Sequence, residues 1–264
     1  MRHKRHIEAK AKFSQIAESR GRYYIIHYSS EGLASTTTNS PRVTSIAIKD
    51  LKEGQVSSFS IHLIADEKGT KLNDIEKNYD AFEREMLTQF YNFVKSNSDI
   101  IWISWRMKDV EFGFRHIEQR YKKHTQLEPP SIIDQNKLQL SILFKDYYGN
   151  NYTGKPKKAH PRLKRITELN NISDKDWLDG VDEADYFKKR KYRDIHTSTL
   201  RKVEIIETLL KRQIDGKLKT KAKWHEKHGF SPSGLFHLWK NTWWCQLLTW
   251  SITLIIGGIF GWLL

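Results

Sequence analysis

The chain has 264 residues and carries 45 Lys and Arg against 31 Asp and Glu, a formal net charge of +14. The residues ahead of a C-terminal apolar run suffice for one sizeable core, and a single cysteine, Cys245, excludes an intramolecular disulfide framework. The charge favours an anionic surface, nucleic acid or lipid, without choosing between them.

The first residues, MRHKRHIEAKAK within a basic segment 1–19, lack the apolar stretch of a signal peptide, so export is not expected. Next, YYIIHY at 23–28 has strand propensity, VTSIAIKD at 43–50 alternates, and SSFSIHLI at 57–64 alternates again before the turn at 66–69. Three strands joined by polar turns are predicted. Phe82, Met86, Phe90 and Phe93 recur at helical spacing, and IIWISW at 100–105 reads as a buried strand. A helix over 109–123 follows, and then, beyond Pro129 and Pro130, a short extended piece at 131–134. Strands and helices in this order predict an α/β fold with a mixed sheet and helices on its faces.

Further on, GKPKKAHPRLKR places Lys155, Lys157, Lys158, Arg162, Lys164 and Arg165 close to Tyr147, Tyr148 and Tyr152. Cations that meet phosphates beside rings that stack on bases suit a DNA or RNA partner; a Lys-rich stretch near a bilayer also suits lipid headgroups. DGVDEADYFKKRKYR at 179–193 has its acids first and its bases last, as a helix dipole favours. In the helix after it, Leu200, Val203, Ile206 and Leu210 form the buried stripe, leaving Arg201 and Lys202 to join His196 as an anion-binding trio.

Residues 215–240 read as a basic connector, rich in Lys and broken by Gly216, Gly229, Pro232 and Gly234. Residues 241–264 read as a transmembrane helix, since the uncharged run from Trp243 to Leu264 is about the length of a bilayer's hydrocarbon core. With lysines upstream, the positive-inside preference puts the preceding domain on the cytoplasmic side of a single-pass membrane protein, with lipid as a partner. A flat helix at the bilayer surface is the other reading of this tail. Gly257 and Gly261 are spaced for close helix approach, hence for a homo-oligomer.

WISWRMKDVEFGF, PPSIIDQNKLQLSILF, HPRLKRITELNNIS and DIHTSTLRKVEIIETLL together resemble the ribonuclease H-like fold in its four-acidic-residue exonuclease branch, over roughly residues 20–214. The resemblance implies a ribonuclease H-like mixed sheet flanked by helices. It implies catalytic residues at Asp109, Asp134 and His196, with Mg²⁺ or Mn²⁺ as the cofactor if the chain is enzymatic. Two carboxylates on the first strand are expected in that family, and this chain has His27, Tyr28 and Ser29 there, with Glu31 nearby. Arg201 stands where another family aspartate belongs.

Three functions follow as expectations. One is a membrane-tethered protein that binds or senses nucleic acid. The second is a metal-dependent nuclease with a rearranged site of Glu31, Asp109, Glu111 and Asp134, in which His27 is a ligand or proton carrier. The third is a membrane effector or scaffold that acts through a protein partner and oligomerisation of its tail.

Overall fold

A computed structural model describes the chain except residues 1, 33–39, 72–73, 108–112, 155–160, 230–238, 240–242, 244–246, 248 and 256–264. The chain divides into two compact units: one holds residues 13–142 and 157–219, the other 1–12, 143–156 and 220–264.

The larger unit is built on a five-stranded mixed sheet of order β3-β2-β1-β4-β5. Strands β1 (Tyr23–Ser30), β2 (Val43–Asp50) and β3 (Val56–Ser60) form an antiparallel meander. Ile26 faces Ile48 and Tyr28 faces Ile46 across the first ladder. Asp50 turns β2 into β3, its Oδ1 accepting from the Lys52 and Glu53 amides at 2.6 and 3.1 Å. On the other side, β4 (Ile101–Ser104) and β5 (Lys137–Gln139) run parallel to β1.

Strand periodicity sends alternate β1 and β2 residues to opposite faces. Ile26, Tyr28, Ile46 and Ile48 join the apolar core with Phe82, Met86 and Phe90 of α3 (Tyr79–Ser96) and Ile117 of α4 (Phe114–Thr125). The opposite face carries His27, Ser29, Ser45 and Lys49, and α8 (Tyr192–Ile214) packs against it. Helix α6 spans Arg162–Leu169. Helix α7 (Gly180–Lys188) starts at Asp179, which caps the Val181 and Asp182 amides in a reciprocal box with Asp182.

Two local expectations are corrected. The chain does not stay extended to residue 64: Ser60 ends β3 and caps α2 (Ile61–Glu67), its hydroxyl accepting from the Leu63 amide. Ile61, Ile64 and Ala65 are then buried at helical rather than strand spacing. The fifth strand lies at 137–139, after a 3-10 turn at 134–136, instead of at 131–134.

The smaller unit contains the start of α1 (Arg2–Glu18), the end of α5 (Leu140–Tyr148) and α9 (Trp224–His228). Gly149 leaves α5 at φ +98°, and a Cβ there would sit 2.7 Å from the Glu226 carbonyl oxygen. The close approach of these two backbones needs glycine.

The expected single-pass anchor is overturned, and with it the fold class that ended in a transmembrane helix, the lipid partner and the cytoplasm-facing topology. Among the described residues no helix is long and apolar enough to cross a membrane. The described helical residues of the tail are 239, 243, 247 and 249–255, and the proposed pair Gly257 and Gly261 lies outside them.

Candidate metal centre and the buried polar network

The carboxylates expected from sequence do not assemble among the described residues. Glu31 pairs with Arg42, Oε2 to Nε at 3.3 Å. Asp134, its side chain 90% exposed, pairs with Lys137 at 3.2 Å. Asp109 and Glu111 lie outside the described residues, as do Lys155, Lys157 and Lys158. Arg162, Lys164 and Arg165 are on α6, all half-buried.

A different group does converge. Asp80, Glu83 and His124 each offer one ligand atom, and those atoms lie within 4.8 Å of one another. Asp80 and Glu83 stand one turn apart at the start of α3, while Arg120 and His124 stand one turn apart on α4, so the packing of the two helices brings all four together. Glu83 is fully buried and Arg120 is 1% exposed. Glu83 Oε1 accepts from Arg120 Nε and from the Val43 amide, both at 2.8 Å, and Oε2 from Arg120 Nη2. Burial alone would raise the Glu83 carboxyl, but the bonds from His124 and Arg120 outweigh it and hold the group below the usual carboxylate range.

His124 has a conflict of protons. Its Nε2 lies 3.0 Å from Glu83 Oε2, an acceptor, and 3.1 Å from Arg120 Nη2, a donor. A proton on Nε2 serves the carboxylate and faces the guanidinium; a lone pair there does the reverse. Arg120 Nη2 also lies 3.9 Å from Asp80 Oδ1, so the protein's own cation sits among the three ligand atoms.

The α8-facing side of the sheet holds a second network. Lys202 Nζ meets Glu183 Oε1 at 2.6 Å, and Ser29 donates to the same oxygen at 2.7 Å. Thr199 links Ser29, at 2.8 Å, to Ser45, at 2.5 Å. Lys202, expected to point away from the core, is therefore buried and neutralised, because a cation can enter an interior only with its partner. Arg201 pairs with Glu204 at 2.7 Å and donates to the Ser173 carbonyl at 2.5 Å. His27 is held well below the ordinary imidazole range by burial and then by Lys202.

His196 is buried against His62, with ring centroids 5.0 Å apart, and its Nδ1 is buried with no hydrogen-bond partner among the described residues. Burial, then the charge of His62, pushes it down to about 4. His196, Arg201 and Lys202 thus each engage a different neighbour.

Sequence reading missed Asp80, Glu83, Arg120, His124 and Glu183. Helical spacing marked Phe82 and Met86 as the buried side of α3, and Glu83 falls beside them on that side; an acid adjacent to a buried stripe was the available signal.

No known protein family, no curated protein and no solved structure matches this chain. The ribonuclease H-like exonuclease resemblance is thus overturned, and with it the degenerate-exonuclease function; the membrane tether falls with the absence, among the described residues, of a helix long and apolar enough to span a membrane. What stands is an α/β unit with a mixed five-stranded sheet flanked by helices and a cluster of two carboxylates and one histidine.

Proposed function

We propose that the α/β unit binds a divalent cation through Asp80, Glu83 and His124, and that this cation serves hydrolysis of a phosphodiester. The observation that supports the reading is the convergence of the three ligand atoms within 4.8 Å. The 3.0 Å between His124 Nε2 and Glu83 Oε2 would also let both atoms reach one ion. His124 Nε2 and Glu83 Oε2 would both give lone pairs to a bound ion, and Nε2 would then need no proton. Arg120 Nε, at 2.8 Å from Glu83 Oε1, would stay on the carboxylate while Nη2 gave way at Oε2.

A set of two oxygens and one imidazole nitrogen favours Mn²⁺ or Zn²⁺ over Mg²⁺. Asp80, 72% exposed, is the side from which water and a substrate phosphate arrive. An ion held by Asp80, Glu83 and His124 would supply an acidified water as the nucleophile for phosphodiester hydrolysis. Arg162, Lys164 and Arg165, with Lys155, Lys157 and Lys158 before them in sequence, are the residues proposed to meet the remaining phosphates of a nucleic acid.

The test is Mn²⁺ titration of the full chain, read by electron paramagnetic resonance, alongside cleavage of labelled DNA and RNA with metal or chelator. Stoichiometric Mn²⁺ binding and cleavage, both lost in Asp80→Asn and His124→Ala, are the expected result. Binding without cleavage removes the hydrolytic half of the proposal. Neither signal leaves the four side chains as an internal ion-pair cluster with Arg120 as its permanent cation.

A further inference from the structure

The smaller unit carries a second group of nitrogen ligands that the cluster on α3 and α4 does not involve. The sequence has two His-x-x-His motifs, HKRH at 3–6 and HEKH at 225–228, and folding brings His3 and His6 of α1 together with His228 at the end of α9. The ring centroids are 4.5 Å apart for His6 and His228, 5.5 Å for His3 and His228, and 6.4 Å for His3 and His6. His6 and His228 are each only 7% exposed. In a tetrahedral zinc site a metal–nitrogen bond of about 2.0 Å places each ring centre about 3.2 Å from the ion, hence neighbouring centres about 5.2 Å apart. The observed spacings bracket that value, and the widest belongs to His3 and His6, one helical turn apart, so ion binding requires a side-chain rotation that brings these two rings together.

The hydrogen bonds fix how the rings present themselves. Tyr147's carbonyl oxygen lies 2.7 Å from His6 Nδ1 and can only accept, so Nδ1 carries the proton and Nε2 of the neutral ring carries the lone pair. Anchoring one ring N–H on a backbone carbonyl is the usual support of a metal-binding histidine. His3 Nδ1 and His228 Nδ1 stand 3.3 Å apart, so with neutral rings one of them presents a lone pair to the other. Arg2 and Lys227 lie close to His6 and oppose any added charge, so affinity here has to come from nitrogen coordination. That excludes Mg²⁺ and Ca²⁺ and selects a borderline transition-metal ion.

We propose that His3, His6 and His228 form a binding site for Zn²⁺ or a similar transition-metal ion, with a fourth position left for water. The ion ties α1 to α9 within the smaller unit.

The metal-stripped full chain is titrated with Co²⁺ and the visible ligand-field bands recorded, followed by displacement with excess Zn²⁺. The expected result is an intense tetrahedral spectrum at one ion per chain, abolished in His6→Asn and in His228→Ala and retained in His124→Ala. Asn at position 6 still donates to the Tyr147 carbonyl, so circular dichroism of that variant separates a lost ligand from a lost fold. If the variant does not fold, X-ray absorption of the zinc-loaded wild-type chain counts three imidazole nitrogens instead. Absence of the tetrahedral spectrum in the wild-type chain overturns the site, as does a spectrum that survives in folded His6→Asn or disappears in His124→Ala.

Discussion

Arg120→Met tests the energetics at the centre of the larger unit. The substitution keeps much of the apolar stem and removes the guanidinium from a carboxylate that is fully buried. Glu83 then keeps the Val43 amide at 2.8 Å and His124 at 3.0 Å but has no fixed cation. Removing one partner of a buried ion pair costs about 3–5 kcal/mol, which for a domain of this size is a melting-temperature loss of roughly 6–20 °C. Adding Glu83→Gln removes the stranded charge while Gln Oε1 still accepts from Val43, so the double variant should lose only about 1–2 kcal/mol. Urea unfolding of wild type, both single variants and the double variant gives the coupling as a double-mutant cycle. Equal losses in Arg120→Met and in the double variant, or a loss below about 1 kcal/mol in Arg120→Met, would refute the reasoning, since the carboxylate would then not depend on its cation.

Two further outcomes are expected. His196, at about 4 in the folded chain, lies below its unfolded value of 6.5, so the unfolded state takes up the proton first as pH falls. Its stabilising contribution is full above pH 6.5 and shrinks towards pH 4, by about 3 kcal/mol at most; His196→Gln should flatten the stability profile across that window, and an unchanged slope would show that the ring is not the titrating group. Gly149→Ala forces a Cβ against the Glu226 carbonyl at φ +98° and should cost about 1–3 kcal/mol, seen as faster amide exchange in 143–156 and 224–229. Exchange equal to wild type would mean that the two segments separate without cost.

The legible parts of the fold were those where one physical signal dominates. Alternation marks β2 at 43–50, and helical spacing of Phe82, Met86 and Phe90 marks α3, because a buried face imposes its period on the sequence. At 57–64 two signals competed: the alternation ran on, but the Ser60 hydroxyl offered the backbone a cap and the chain turned helical. The candidate centre was harder to read. Asp80, Glu83, Arg120 and His124 are ordinary helix residues in sequence, and only the packing of α3 on α4 gives them a shared location. Lys202 was misread because spacing assigns a face but not a partner, and its partner Glu183 comes from another helix.

The contact between α8 and the sheet constrains how this unit can move. An apolar helix face has many nearly equivalent settings along a sheet, but the chain of hydroxyls from Ser45 through Thr199 and Ser29 to Glu183 and Lys202 has one. Sliding α8 by a single turn, about 5.4 Å, would break the Thr199 and Lys202 links at once and strand a buried charge pair. The helix and strands β1 and β2 are therefore keyed together like teeth in a ratchet. Under mechanical load or during ligand exchange they should travel as one rigid body, and deformation should concentrate in the connections around them.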